Sequence, residues 1–188
     1  MAKPYDHIVV IDIEATCWED KPPPGQESEI IEIGVCLLEV ATLQRKERDS
    51  ILVRPQRSQV SPFCTGLTTL TQAQVDGGVT FAEACTALRR KHQTKDRPWA
   101  SFGDYDRAQF QRQCQATGVG MPFSSSHLNV KALVAAALGL PSEIGMAGAL
   151  AHLHLPLEGT HHRGGDDAWN IANILLKVLG AARAGLGG

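Results

Sequence analysis

The run HIVVIDI at residues 7–13 constrains the fold more than any other feature of this sequence. Its residues are apolar and mostly β-branched, and polar residues bound it, so it predicts a buried central strand. Two carboxylates, Asp12 and Glu14, stand at the end of this strand. Because side chains alternate along a strand, both point to the side that carries Ile8 and Val10, about 6.6 Å apart. The strand therefore brings negative charge to the edge of a hydrophobic core.

The rest of the hydrophobic pattern predicts an α/β fold with a mixed, five-stranded sheet. The other predicted strands lie at residues 30–40, 50–54, 99–102 and 127–130. The predicted helices lie at residues 80–91, 106–115, 131–138, 146–153 and 166–179. An antiparallel meander followed by βα units, flanked by helices, is the layout of ribonuclease H-like folds. We expect one domain over residues 1–180 and a flexible glycine-rich tail at residues 181–188.

Composition is that of an ordinary globular domain, with 43% hydrophobic and 20% charged residues. The longest apolar run, residues 132–140, is too short to cross a bilayer, and the first residues lack a signal-peptide pattern, so we expect a cytoplasmic protein. The five cysteines are odd in number and include no C-x-x-C pair, which predicts free thiols. A formal net charge of −2 argues against a strongly basic surface for nucleic acid.

Two further aspartates head the buried faces of predicted helices. Asp106 is followed at i+4 and i+8 by apolar or sulfur-bearing side chains, and Asp167 starts a longer apolar stripe. Their neighbours Asp104 and Asp166 are interpreted as helix caps or solvated loop residues. His162 lies five residues before Asp167 in a loop with glycines, which lets it fold back over the first helical turn. Beside an inward carboxylate, it is a candidate acid or base.

Four carboxylates from three elements all point inward, without matching buried cations. This arrangement predicts bound divalent metal, and ligation by oxygen alone favours Mg²⁺ or Mn²⁺ over zinc. Two such ions, about 3.5–4 Å apart, can activate a water and stabilise the leaving oxygen of a phosphodiester. They would change the formal charge from −2 to +2, so we expect nucleic acid to bind in a metal-dependent way.

The segments D-I-E-A-T, D-R-A-Q-F and H-R-G-G-D resemble the three motifs of the DEDDh 3′-to-5′ exonucleases. Longer segments are similar, in order and spacing, to the eri-type exoribonuclease group, which trims RNA 3′ ends: VVIDIEATCW, EIIEIGVCLLE, SPFCTGLTTLTQAQVD, FGDYD and HHRGGDDAWNIANI. The similarity extends over residues 7–180. It implies hydrolysis with two Mg²⁺ or Mn²⁺ ions and release of nucleoside 5′-monophosphates from a free 3′-OH end. The implied metal ligands are Asp12, Glu14, Asp106 and Asp167, with His162 as general base.

The resemblance also implies a binding site for the last nucleotide. Ala15 and Thr16 would contact its ribose through their backbone, and Phe63, Leu67 and Tyr105 would line a nucleobase pocket. Stacking on such a surface tolerates any base. Plain core packing is an equally good interpretation of Phe63 and Leu67. Animal members carry a separate nucleic-acid-binding module that we do not expect here, so the resemblance implies no specificity for RNA stem-loops.

Several alternatives stay open at this point. His161 is also five residues before Asp166, although the inward helix face favours the pair His162 and Asp167. A zinc hydrolase centre could combine Asp166 or Asp167 with His152, His154, His161 and His162. The chain could be a non-catalytic RNA-binding module of the same fold. The substrate could be single-stranded DNA, because contacts to a 2′-OH would come from backbone atoms that side chains do not report.

Basic residues near the candidate site in the sequence could guide a substrate. These are Arg54, Arg57, Arg107, Arg112 and Arg163. The densest basic run, RRKHQTKDR at residues 89–97, is either a phosphate track or a solvated helix end, where cations interact favourably with the helix dipole.

Overall fold

The computed structural model describes residues 5–187, which are built around one mixed sheet. Its strands are β1 (His7–Ala15), β2 (Ile30–Glu39), β3 (Gln44–Leu52), β4 (Trp99–Ser101) and β5 (His127–Asn129). Their order across the sheet is β3-β2-β1-β4-β5. The first three strands pair antiparallel, whereas β4 pairs parallel with β1 and with β5. The predicted meander followed by βα units is therefore confirmed.

Helices cover both faces of this sheet. They are α1 (Pro62–Thr68), α2 (Gln72–Asp76), α3 (Phe81–Lys91), α4 (Tyr105–Thr117), α5 (Val130–Ala137), α6 (Met146–His152) and α7 (Gly164–Leu186). Ile8 and Val10 of β1 pack in a core with α5, α6 and α7, while Val9 and Ile11 pack in a second core with α3 and α4. The central strand is thus buried on both faces until its carboxyl end, where Asp12 faces the α7 side.

The amino end of α7 lies directly against β2. Gly34 pairs with Asp12 across the sheet, and a Cβ atom at Gly34 would overlap the carbonyl group of Gly164. Gly164 in turn lies close to the backbone of Gly34 and Asp12. Two glycines therefore allow the first turn of α7, which carries Asp167, to approach the end of β1.

The third strand begins earlier than its hydrophobic pattern predicts. The prediction placed it at residues 50–54, but β3 starts at Gln44 and ends at Leu52. Its first half, QRKERD, lies at the edge of the sheet and is mostly exposed, so it carries no apolar alternation.

Two short helices, α1 and α2, also lie where the sequence predicts none. Each begins at a hydroxyl N-cap, Ser61 or Thr71, which is a weak signal without a long apolar stripe behind it.

The prediction of a flexible tail from residue 181 is wrong for its larger part. Helix α7 continues to Leu186, because AARA is a run of strong helix formers. Arg183 also donates to the carbonyl oxygens of Val40 and Ala41, at 2.5 and 3.3 Å, and so ties the end of α7 to the β2–β3 turn. Gly188 lies outside the described residues. No helix within residues 5–187 has an apolar stretch long enough to span a membrane.

Candidate active site

The four predicted carboxylates meet at the carboxyl end of β1. Asp12 and Glu14 come from the strand, Asp106 from the first turn of α4 and Asp167 from the first turn of α7. Carboxylate oxygens of Asp12, Glu14 and Asp167 lie within 4.8 Å of one another. The backbone N–H of Ile13 donates to Asp106 Oδ1 at 3.0 Å, which holds this fourth carboxylate beside the strand. All but Asp12, which is half-buried, are less than 10% exposed.

Burial of these carboxylates makes their negative charge costly. Burial, and then the nearby carboxylates of Asp167 and Glu32, raise the pKa of Glu14 to about 8. Burial raises the pKa of Asp106 to about 7, although the hydrogen bond from Ile13 opposes this effect. The pKa of Asp12 is raised well above its usual range by burial and then by Asp106. A set of oxygen ligands with so little compensating positive charge fits a hard divalent cation.

Another buried carboxylate close to the cluster, Glu32, has a different environment. Arg163 donates to it through Nε and Nη2, both at 3.1 Å, the Gly164 N–H donates at 2.9 Å and the Ser50 hydroxyl at 2.5 Å. Burial would raise the pKa of Glu32, but these hydrogen bonds outweigh it and lower the pKa. Glu32 therefore stays ionised and anchors Arg163 and the start of α7, rather than offering free lone pairs to a metal ion. Sequence reasoning missed it, since its partners are distant in the chain.

Both adjacent histidines contact Asp167, but His162 does so through its backbone and His161 through its side chain. His162 has a left-handed backbone, with φ of 62°, and its N–H donates to Asp167 Oδ2 at 2.9 Å. The side chain beside Asp167 is that of His161, whose Nδ1 lies 3.0 Å from Oδ2. The predicted pairing of His162 with Asp167 is thus made by the main chain, because the left-handed turn directs the His162 ring onto the His161 ring, 4.0 Å away.

Both histidine rings line a cleft of about 350 Å³ with Asp12, Glu14 and Asp167. The apolar part of its lining includes Ala15, Leu67, Phe102, Tyr105 and Met146. Leu67 and Tyr105 are 39% and 56% exposed, which excludes core packing for Leu67 and leaves both side chains accessible. Phe102 directly follows β4 and Met146 starts α6, positions that sequence reasoning could have flagged from the topology.

Two of the predicted substrate residues, Phe63 and Thr16, are not among the residues that line the cleft. Phe63 is one turn before Leu67 on α1 and is 45% exposed, so it is neither packed in the core nor part of the cleft lining. Thr16 is completely buried, because its hydroxyl donates to the Glu27 carbonyl and accepts from the Glu29 N–H. The side chain of Thr16 therefore organises the following loop and cannot itself touch a ligand.

Most of the arginines near the site are engaged with acidic partners. Arg57 pairs with Glu27 at 2.9 Å, Arg107 with Asp104 at 2.8 Å, and Arg163 with Glu32. Within the described part of the chain, Arg54 and Arg112 are exposed and form no ion pair. Asp104 does occupy the N-cap position of α4, but its side chain makes no capping hydrogen bond.

The basic run at residues 89–97 begins at the end of α3, on the sheet face opposite the Asp12 side chain. Lys91 contacts Asp49 at 2.6 Å, and Arg89 donates to the Gly120 carbonyl at 3.2 Å. Three cations in the last turn of a helix also suit its dipole. These contacts favour the structural interpretation of this run.

A zinc centre with four histidines does not form. His152 contacts the carbonyl of its own helix at Gly148, and it is absent, with His154, from the cluster of potential metal ligands within residues 5–187. Asp166 is also engaged elsewhere: it is the third residue of α7, not its cap, and it accepts from Arg48 and from the Thr160 N–H. Of the proposed zinc ligands, only His161, His162 and Asp167 lie together.

The electrostatics of the carboxylate cluster predict how stability depends on pH. We expect the metal-free protein to lose stability between about pH 4.5 and pH 8. Glu14 and Asp106 have pKa values of about 8 and about 7 in the folded protein, above their ordinary values, so the unfolded chain releases these protons first as pH rises. Each pKa unit corresponds to about 1.4 kcal/mol, so we expect a fall in Tm of at least about 10 °C.

Thermal unfolding in EDTA at about pH 5 and about pH 8 measures this loss. Adding Mg²⁺ or Mn²⁺ should recover Tm at the higher pH and change little at the lower pH, where the carboxylates bind protons instead. A metal-free Tm that stays level or rises over this range would contradict the electrostatic description.

The fold and the site together define a class of protein. A ribonuclease H-like sheet that brings Asp12, Glu14, Asp106 and Asp167 together, with histidines before the last aspartate, is the arrangement of the DEDDh exonucleases. The family model described as Exonuclease matches residues 9–175, and the chain belongs to this family.

Several individual members of this family are similar to the chain over most of its length. The human protein 3′-5′ exoribonuclease 1 is 33% identical over 185 residues, which are 93% of this chain and 53% of that protein. The nuclease domain of 3′hExo, described as a DEDDh family member bound to rAMP, has a TM-score of 0.86 and 32% identity, covering 96% of this chain and 95% of that one. A 3′-exonuclease described in 3′-end specific recognition of histone mRNA stem-loop has a TM-score of 0.86 and 31% identity, covering 96% and 84%. The chain spans about half the length of the curated relatives it matches.

Proposed function

We propose that the protein is a 3′-to-5′ exoribonuclease that releases nucleoside 5′-monophosphates from RNA with a free 3′-OH end. The observation that carries the proposal is an open cleft lined by three carboxylates, Asp12, Glu14 and Asp167, and by two histidines. The fourth carboxylate, Asp106, is held beside the same strand by the Ile13 N–H, and the pKa of each of the four is raised. RNA is favoured over DNA because the similar proteins are described as exoribonucleases, and two of the similar structures are described with rAMP or an mRNA stem-loop.

The four carboxylates would hold two divalent ions, Mg²⁺ or Mn²⁺. Such ions supply polarisation of the scissile phosphate and of the attacking water. In this proposal Asp106 is oriented by the Ile13 N–H and Asp167 by the His162 N–H, so the strand and the loop fix both ligands before metal binds. The anchor between Glu32 and Arg163 keeps the first turn of α7 in place. Arg163 also brings one positive charge near Glu14, which opposes but does not outweigh the rise in the pKa of Glu14 caused by burial and the neighbouring carboxylates.

His162 would accept the proton of the attacking water. Its ring is half-buried in the cleft lining. Burial lowers its pKa, and the neighbouring His161 lowers it further, against the opposing effect of Asp167. His162 is therefore neutral near pH 7 and able to take a proton.

Tyr105 and Leu67 would bind the terminal base, next to the Ala15 backbone that would meet its ribose. We expect Tyr105→Ala to raise KM for RNA about tenfold, since stacking on an aromatic ring contributes about 1–3 kcal/mol per base. Tyr105→Trp is the matched control and should keep KM near the wild-type value, because it preserves a stacking surface. Steady-state kinetics on a single-stranded RNA measure both. An unchanged KM for the alanine variant would remove Tyr105 from the base pocket.

Product analysis on matched oligonucleotides tests the function itself. A short single-stranded RNA, the same RNA with a 3′-phosphate, and the DNA of the same sequence are incubated with enzyme and Mg²⁺ or Mn²⁺. We expect stepwise release of 5′-monophosphates from the free 3′-OH RNA and much slower loss of the other two. An internal cleavage ladder, or hydrolysis that survives excess EDTA, would contradict the proposal. Tight binding of RNA without any cleavage would instead support a non-catalytic module.

We also propose a cytoplasmic location. The support is chemical: all five cysteines are free thiols in the structure, a state that persists in reducing compartments.

A further inference from the structure

In the mechanism proposed above His161 acts only through its effect on His162, yet its side chain is placed as a ligand would be. Its Nδ1 lies 3.0 and 3.2 Å from the two carboxylate oxygens of Asp167. Its side chain is 39% exposed, so the ring is accessible from the cleft. The His162 ring stacks on it, with ring centres 4.0 Å apart.

These separations are those of a hydrogen bond, and they are also compatible with the spacing of two ligand atoms on one zinc ion. Zinc binds imidazole nitrogen and carboxylate oxygen at about 2.0–2.1 Å in a tetrahedron, which sets neighbouring ligands about 3.3 Å apart. The Nδ1 atom of His161 and the oxygens of Asp167 already have nearly this spacing. One nitrogen of His162 completes a set of three ligand atoms within 4.8 Å of one another. Because the two imidazole rings stack, binding one ion requires one of them to rotate, and the His161 side chain is partly exposed.

We propose that His161, His162 and Asp167 form an inhibitory site for Zn²⁺. Imidazole nitrogen is a good ligand for zinc and a poor one for Mg²⁺, so this trio selects a different metal from the oxygen-only cluster beside it. Three protein ligands leave a fourth position for water, as in many zinc sites with an open position. The buried carboxylates of Asp12 and Glu14 nearby add attraction for any divalent cation.

The two sites share Asp167, so they compete. A zinc ion on the trio would withdraw Asp167 from the oxygen cluster and occupy His162, the residue proposed to take the proton. Binding of zinc is independent of the proposed function, whereas inhibition rests on it. The two parts can therefore fail separately.

Competition with a chromophoric zinc indicator, using metal-free protein, tests the binding. We expect one zinc ion per chain, retained in millimolar Mg²⁺. His161→Phe keeps the stack on His162 but removes a ligand, and should weaken zinc binding at least tenfold. The matched control Asp106→Asn alters the oxygen cluster and leaves the trio intact, so it should bind zinc within a few-fold of wild type. Circular dichroism checks that both variants fold.

Two results would contradict the proposal that zinc binds to His161, His162 and Asp167. Equal zinc affinity of wild type and His161→Phe would place the ion elsewhere, and so would loss of zinc binding in Asp106→Asn. The inhibitory role is measured as the zinc concentration that halves RNA hydrolysis in millimolar Mg²⁺, relative to the zinc-free rate of each protein. His161→Phe should raise this concentration at least tenfold, and zinc bound without inhibition would overturn the role. If the protein hydrolyses no RNA at all, the proposed function is wrong. The competition with the zinc indicator still shows whether His161, His162 and Asp167 bind zinc.

Discussion

Asp12→Asn is expected to lower RNA hydrolysis about 10³- to 10⁴-fold while making the metal-free protein more stable. The asparagine side chain has nearly the same size but removes a negative charge from the middle of the carboxylate cluster. Metal ions contribute several kcal/mol of charge stabilisation to such reactions, and each 1.36 kcal/mol is tenfold in rate. Activity therefore falls steeply when a metal ligand is lost.

The gain in stability follows from the same charges. The pKa of Asp12 is raised by burial and then by Asp106, Glu14, Asp167 and Glu32, so ionised Asp12 opposes folding when no metal is present. Thermal unfolding in EDTA near pH 8 should show a higher Tm for Asp12→Asn than for wild type. This combination separates a lost ligand from a damaged fold, which would lower both activity and Tm.

Asp104→Asn is the matched control for this experiment. Asp104 is exposed, lies just before α4 and pairs with Arg107, outside the cluster. The same chemical change there should leave the rate within a few-fold of wild type. A rate for Asp12→Asn above a tenth of the wild-type rate, or a lower metal-free Tm, would contradict the role of Asp12 as a metal ligand.

Elements with strong periodicity could be predicted from the sequence together with the carboxylates they carry. The central strand, with Asp12 and Glu14 at its end, follows from alternation along a β-branched run. The inward direction of Asp106 and Asp167 follows from the apolar stripes behind them, and both side chains are indeed buried. These positions depend on local geometry, which a hydrophobic pattern reports directly.

Contacts between distant segments could not be predicted in this way. Glu32 and Arg163 are 131 residues apart, and only the packing of α7 on β2 brings them together. The exposed half of β3 carries no apolar pattern, because neither of its faces packs in the core. Its hydrogen bonds to β2 define it as a strand, and these cannot be read from its own sequence. The roles of His161 and His162 depend on the left-handed backbone at His162, a conformation that is uncommon for residues other than glycine and that no spacing rule indicates.

His162→Ala is expected to lower kcat about 10²- to 10⁴-fold, the usual contribution of a positioned general base. KM should change little, because the metal ligands and the base pocket remain. The rate of the wild-type enzyme should rise with pH through a pKa below the ordinary 6.5 of histidine, since burial and His161 both favour the neutral ring. In His162→Ala this dependence on pH should disappear.

His161→Ala supplies the comparison that assigns the base. Removing His161 takes away a neighbouring ring whose electrostatic effect lowers the pKa of His162, so the rise in rate should move to higher pH while most of kcat is kept at alkaline pH. Full pH profiles of kcat for wild type and both variants measure the two effects. The assignment reverses if His161→Ala abolishes the pH-dependent rise and His162→Ala preserves it. In that case the imidazole 3.0 Å from Asp167 would be the base, and the left-handed turn at His162 would serve only to place the His162 N–H on the carboxylate.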